Sequence, residues 1–78
     1  MEDADLVAQI SALVDEEHRL EHESREEDPE RLERLRVVKI ALDQCWDLLR
    51  QRRARRAAGL DPEGARLRDA STVEGHQQ

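Results

Sequence analysis

The feature that most constrains the fold is a long helix-forming run between a strong start signal and a strong stop signal. Asp28 suits the N-cap of a helix, Pro29 suits its first position, and Glu30 places an acid in its first turn. Gly59 can adopt the left-handed conformation that ends many helices. The sequence therefore predicts one helix from Pro29 to about Ala58.

The apolar residues of this helix cover a wider arc than one neighbouring helix can bury. The main apolar stripe contains Leu32, Leu35, Val38, Leu42, Cys45, Trp46 and Leu49. The second apolar stripe contains Val37, Ala41 and Leu48, and Ile40 extends it. A single packing partner needs an arc of roughly 100°. We therefore expect another helix of the chain to cover one stripe, and a second molecule to cover the other.

An amphipathic helix precedes this one, and a short connection joins the two. The first helix is predicted from Asp3 to about His22, with Leu6, Val7, Ile10, Leu13, Val14 and Leu20 on one side. A short connection makes the helices antiparallel neighbours, which brings Leu6 near Trp46. The predicted fold is all-α: an antiparallel two-helix hairpin over residues 1–59, then an irregular tail over 60–78. In this tail Asp61 starts a short helical turn through Leu67, and the remainder is extended or mobile.

The size of the chain favours self-association. A chain of 78 residues is near the limit below which one core rarely supplies more than about 3–5 kcal/mol. Cys45 is the only cysteine, which excludes an internal disulfide. We therefore expect a homodimer, most simply a four-helix bundle built from two hairpins. The acidic N-terminus and the lack of any long apolar run predict a cytoplasmic protein that does not cross a membrane.

Charge is divided unevenly along the chain. Residues 1–30 carry a net charge of −10, residues 31–56 carry +6, and residues 57–78 carry −2. Folding the acidic segment onto the basic one neutralises both. The register of the hairpin predicts an ion pair between Glu17 and either Arg36 or Lys39, and places Asp3 near Arg50.

Candidate catalytic and metal-binding groups are few, and we predict no enzyme activity, cofactor or metal. The segment from His18 to His22 matches the letters of the H-x-x-E-H zinc-protease motif, but a two-helix chain offers no cleft for it. Glu17 amid leucines is open to two interpretations, a di-metal ligand in a dimeric bundle or a structural ion pair, and we favour the pair. Cys45 is expected to be a buried, inert thiol. The residues assigned structural roles are Glu17, Arg36, Leu42, Cys45, Trp46 and Leu49.

The basic end of the second helix is the other candidate binding feature. The predicted partner-binding residues are Val37, Ala41, Leu48, Arg52, Arg53, Arg55 and Arg56. The arginines favour the negative end of the helix dipole and suit an acidic protein partner. The alternative is a nucleic-acid-associated protein that uses Arg50–Arg56, although the acidic net charge and the absence of neighbouring aromatic residues make nucleic acid a less favoured partner.

Two segments carry a resemblance to a known family. The segment Leu42-Asp43-Gln44-Cys45-Trp46-Asp47-Leu48-Leu49-Arg50-Gln51-Arg52-Arg53-Ala54-Arg55-Arg56, with Leu13-Val14-Asp15-Glu16-Glu17-His18 upstream, resembles a small actinobacterial family, domain of unknown function 2630. Val73-Glu74-Gly75 is similar to the family's ending, although His76 stands where the family leads us to expect an aromatic residue. The resemblance implies a short cytoplasmic bacterial protein with no assigned activity, and no catalytic residues accompany it.

Overall fold

The two predicted helices are present with nearly the predicted bounds. A computed structural model of the protein describes residues 2–22 and 28–69. Helix α1 runs over Asp3–His22 and helix α2 over Pro29–Ala57, followed by a single 3-10 turn over Pro62–Gly64. The described part of the chain has no strand. The fold is therefore an all-α helical hairpin, as the apolar periodicity predicts.

Local chemistry accounts for the two ends of α2. The Asp28 side chain accepts a hydrogen bond from the backbone N–H of Glu30 at 3.0 Å, which satisfies a donor that the helix itself leaves unpaired. At the other end Gly59 has φ of +77°, the left-handed conformation that glycine adopts without strain. This turn lets the N–H of Leu60 reach back to the carbonyl of Arg55 at 2.7 Å, which closes a Schellman motif.

The hydrophobic core lies between the two helices. Its buried members are Leu6, Ile10, Leu20, Val38, Leu42, Cys45 and Leu49. Leu13, Val14, Leu35 and Leu48 are partly buried and pack against them. The antiparallel arrangement is visible in two cross-helix ion pairs at opposite ends, Glu16 with Arg34 at 2.6 Å and Asp3 with Arg52 at 2.6 Å. Leu42, Cys45 and Leu49 thus have the structural role predicted for them.

Trp46 does not occupy the core position that the main apolar stripe predicts. It is 43% exposed, and Leu32 in the same stripe is 44% exposed. Successive residues of a helix are turned by about 100°, so Trp46 points well away from Cys45, which faces α1. Helix α1 centres on the line of Val38, Cys45 and Leu49, and it leaves the flank that carries Trp46 open.

The ion pairs of Glu17 also differ from the prediction. Arg36 donates to Glu33 of its own helix at 2.8 Å, and Lys39 pairs with Glu21 at 3.4 Å. Glu17 is partly buried, and the ion pairs found in residues 2–22 and 28–69 do not include it. Arg36 pairs with Glu33 because Glu33 lies one helical turn before it on the same helix. Lys39 lies opposite Glu21, which is one turn closer to the connection than Glu17.

The segment after α2 turns back along that helix. The 3-10 turn over Pro62–Gly64 is shorter than the predicted helical turn through Leu67, and the residues after it lie beside α2 without regular secondary structure. The expectations for the connection at 23–27 and for the last nine residues, 70–78, fall outside the described residues. The described helices contain no stretch long and apolar enough to cross a membrane.

Candidate functional site

The basic end of α2 is folded onto acidic groups of the same chain. The Arg52 side chain is only 7% exposed, and its Nε donates to Oδ1 of Asp3 at 2.6 Å. Its Nη1 donates to Oε1 of Glu63 at 3.1 Å. Arg56 donates to both carboxylate oxygens of Asp3, with Nη1 at 3.1 Å from Oδ1. We call these four residues, Asp3, Arg52, Arg56 and Glu63, the Asp3 cluster.

The Asp3 cluster stabilises every one of its members in the charged form. Hydrogen bonds from Arg56, and then from Arg52, hold the pKa of Asp3 at about 2, below its usual value of 3.8. The same hydrogen bonds raise the pKa of both guanidinium groups. The pKa of Glu63 is lowered, mainly by its hydrogen bond from Arg52. The cluster therefore joins the start of α1, the end of α2 and the 3-10 turn electrostatically.

The other arginines of this segment differ in their surroundings. Arg55 donates to the carbonyl of Asp61 at 2.6 Å, and Arg50 lies 3.9 Å from Asp47. Arg53 is exposed. Of the arginines predicted to bind a partner, Arg52, Arg55 and Arg56 thus contact groups of their own chain.

The register places Asp3 near Arg50, and in the structure its hydrogen bonds go to Arg52 and Arg56. Arg50 and Arg52 are two residues apart, which turns their side chains about 200° from each other on a helix. Arg52 is the one that faces α1, and Asp3 meets it there. The long guanidinium side chain of Arg56 also reaches back to Asp3.

The second apolar stripe is partly covered by the chain's own C-terminal segment. Val37 is 41% exposed, whereas Ala41 and Leu48 are partly buried. An open cleft of about 270 Å³ lies between α1, α2 and this segment, lined by Leu6, Gln9, Ala41, Gln44, Cys45, Leu48 and Leu67. The stripe therefore offers a partner less apolar surface than the sequence indicates, and only Val37 of the three is largely open.

Two glutamines and a buried aspartate hold the C-terminal segment in place. Gln51 donates to the carbonyl of Arg66 at 2.6 Å and accepts from the N–H of the same residue at 3.1 Å. Gln44 donates to the carbonyl of Arg68 at 3.3 Å. Asp47 is 4% exposed, accepts from Gln51 at 2.8 Å and pairs with Arg68 at 3.4 Å. The sequence analysis did not predict these contacts. The one sequence feature that could have indicated them is the position of Asp47 directly beside the apolar Leu48.

The candidate chemical groups do not form a catalytic constellation. His18 and His22 are exposed, their ring centroids lie 6.1 Å apart, and Nδ1 of His22 is 2.7 Å from the carbonyl oxygen of His18. Within residues 2–22 and 28–69, no three His, Cys, Asp or Glu side chains come close enough together to hold a metal ion. Cys45 lines the cleft, and burial raises the pKa of its thiol, which favours the protonated and unreactive form.

Three large apolar side chains are exposed on the flank opposite the C-terminal segment. Val7 is 51% exposed, Leu32 44% and Trp46 43%. The ion pair between Glu21 and Lys39 lies on the same flank and bridges α1 and α2. We call the surface formed by Val7, Val14, Glu21, Leu32, Lys39 and Trp46 the Trp46 face. Exposed apolar side chains that share one flank and are bordered by charged groups suit an interaction site.

Comparison with known proteins places this chain among short bacterial proteins. An uncharacterised protein of Mycobacterium bovis and one from each of two strains of Mycobacterium tuberculosis are each 47% identical to it over 77 residues. Each alignment covers 95% of this chain and 88% of the mycobacterial protein. No solved structure matches the chain. The profile of a family described as protein of unknown function, DUF2630, matches residues 2–78. The chain therefore belongs to the DUF2630 family, as its central segment indicates.

Proposed function

We propose that the protein is a non-enzymatic interaction module that acts as a homodimer, in which two helical hairpins form a four-helix bundle. The observation that carries the proposal is the apolar surface left open around α2. Val37 lies exposed on one flank of the helix, and Trp46 and Leu32 lie exposed on the other. The two helices of one hairpin leave these side chains open, and a second hairpin can cover those on one flank.

The small core supports the same proposal. Only seven apolar residues are buried in the described chain, and one of them is a cysteine. Single cores in chains of this size rarely supply more than about 3–5 kcal/mol, and association is a common remedy. Two hairpins that share one core would remove apolar surface from water on each copy.

The chemistry of the cleft beside Cys45 supports a role without catalysis. Its polar lining consists of Gln9 and Gln44, which are neutral amides that neither donate nor take up protons near neutral pH. The cleft is otherwise apolar and partly closed by Leu67. Such a lining can hold an apolar side chain, and it lacks a paired acid and base of the kind that general acid–base catalysis requires.

Two other partners keep weaker support. An acidic protein that docked on the end of α2 would have to displace Asp3 and Glu63 from Arg52 and Arg56, or use the remaining arginines without them. The same competition applies to the phosphates of a nucleic acid. The two helices therefore offer a better-defined apolar partner surface than basic surface.

Sedimentation equilibrium at micromolar concentrations tests the proposal. We expect a species of twice the 9.1 kDa chain mass that dissociates on dilution. Circular dichroism on the same samples reports whether the chain is helical. A helical protein that sediments only at the mass of one chain, up to hundreds of micromolar, would remove the proposal.

A further inference from the structure

We propose that the Trp46 face is covered by a second copy of this chain, placed so that α1 of each copy lies over α2 of the other. This inference rests on the proposed function, because it specifies the surface and the geometry of the self-association. It assigns the dimer a two-fold axis parallel to the helices and brings both helical connections to the same end of the bundle.

The Trp46 face has a defined register between its two helices. Residues seven apart share one side of a helix, so Val7, Val14 and Glu21 form one row on α1. Leu32, Lys39 and Trp46 form the corresponding row on α2. The ion pair of Glu21 with Lys39, at 3.4 Å, shows that the rows are neighbours. Since the helices are antiparallel, a step of seven residues from this pair brings Val14 level with Trp46.

The charges of the helices select the second copy as the partner and set its orientation. Helix α1 has six acidic and one basic residue, a net charge of −5, and α2 has four acidic and nine basic residues, a net charge of +5. A face built from one helix of each sign is complementary to itself if each helix meets the opposite one. On the Trp46 side of α2, Lys39, Arg50 and Arg53 are all exposed cations.

Only one of the two symmetric ways of joining these faces uses this complementarity. A two-fold axis perpendicular to the helices stacks α1 on α1 and α2 on α2, which opposes Lys39, Arg50 and Arg53 with the same cations of the other copy. Like charges brought together at an interface cost several kcal/mol and suppress that pairing. A two-fold axis parallel to the helices stacks α1 on α2 at both contacts. Glu21 of each copy then meets Lys39 of the other, and Arg50 and Arg53 face α1 instead of the same cations.

The parallel axis also brings apolar residues of the two copies opposite each other. Rotation about this axis does not change the height of any residue along the bundle. Trp46 of one copy then faces Val14 of the other, and two such contacts form one apolar layer. Glu21 of each copy meets Lys39 of the other at the next level. Glu21 and Lys39 of both copies then form a ring of four alternating charges. This ring lies next to the apolar layer, on the side of the helical connections.

The distance between identical positions in the two copies separates the two arrangements. A nitroxide spin label on Glu30→Cys, an exposed position in the first turn of α2, marks the connection end of the hairpin. The parallel axis keeps both labels at one end, where packed helices are about 10 Å apart, so the labels lie within about 25 Å. The perpendicular axis places them at opposite ends of helices about 43 Å long, so they are about 40 Å apart.

Pulsed dipolar electron spin resonance on the labelled full-length chain measures this distance, with sedimentation on the same sample. The unmodified chain, treated with the same label, reports any signal from the buried Cys45. A distance within about 25 Å in a dimer supports the proposal. A distance near 40 Å overturns the assigned geometry and leaves the self-association intact. A folded monomer without dipolar coupling overturns both this inference and the proposed function.

Discussion

Replacing Trp46 by lysine is expected to dissociate the dimer while the hairpin remains folded. Trp46 lies outside the core of the single hairpin, and 43% of its surface is open to solvent. A lysine in its place adds a cation to a flank of α2 that already carries Lys39, Arg50 and Arg53. In the dimer it would have to be buried against the second copy, and in the monomer it remains in water.

The size of the effect follows from the exposed area. An aromatic side chain buries up to about 250 Å², so the exposed fraction of Trp46 amounts to about 100 Å². At about 25 cal/mol per Å², covering this area contributes about 2.5 kcal/mol for each copy. The dimer contains two such contacts, or about 5 kcal/mol, and each 1.4 kcal/mol changes Kd tenfold. Trp46→Lys should therefore raise Kd by at least about a thousandfold.

Val37→Lys is the matched control, because Val37 is also on α2 and is 41% exposed, but lies on the opposite flank. Sedimentation equilibrium of both variants, with circular dichroism to confirm helicity, measures the two dissociation constants. We expect Val37→Lys to keep the Kd of the unmodified chain within about threefold, the usual range of a surface substitution. The Val37 variant also retains the only tryptophan, whose fluorescence should shift to shorter wavelength as the dimer forms.

The opposite pattern would refute the reasoning. If Val37→Lys gave a monomer and Trp46→Lys stayed dimeric, the second apolar stripe of α2 would be the dimer surface. If both variants stayed dimeric, neither flank of α2 would be the contact.

Three further predictions concern the single hairpin and can be measured by chemical or thermal unfolding. Leu49→Ala should lower the free energy of unfolding by about 2–5 kcal/mol, because Leu49 is 1% exposed in the centre of the core; a loss below 1 kcal/mol would contradict that position. Gly59→Ala should lower the free energy of unfolding by about 1–2 kcal/mol, because alanine is strained at a φ of +77°. A Cβ at this position meets no other atom, so the backbone strain is the whole effect. An unchanged free energy of unfolding would count against the left-handed turn. Asp3→Asn should lower Tm at pH 7 and leave it nearly unchanged at about pH 1. The pKa of Asp3 falls from 3.8 to about 2 on folding, so the stabilisation from its charge is present above about pH 4 and is lost as the pH falls through 2. A Tm difference of the same size at about pH 1 would show that the carboxylate charge is not its cause.

The helix bounds could be predicted from the sequence because the interactions that set them are local. Asp28 caps a donor two residues away, and the glycine at position 59 relieves a steric restriction within its own backbone. The apolar period of each helix likewise depends only on the turn per residue. These features predicted α1 at its observed bounds and α2 to within one residue of its end.

The details of the candidate site required distances between segments remote in sequence. Arg52 is buried because Asp3 and Glu63 reach it from two other elements, 49 and 11 residues away. The burial of Asp47 depends on the segment that returns along α2 and brings Arg68 to its carboxylate. No periodic pattern distinguishes these two polar residues from their exposed neighbours, since their partners are selected by the tertiary fold.

The sequence alone determined that the chain forms two antiparallel helices with more apolar surface on the second than the first can cover. The tertiary structure decided which part of that surface is covered. A broad apolar arc allows the neighbouring helix several positions with similar burial, and its final position depends on many side chains acting together. Here α1 packs over Val38, Cys45 and Leu49, the C-terminal segment partly covers Ala41 and Leu48, and Trp46 remains exposed.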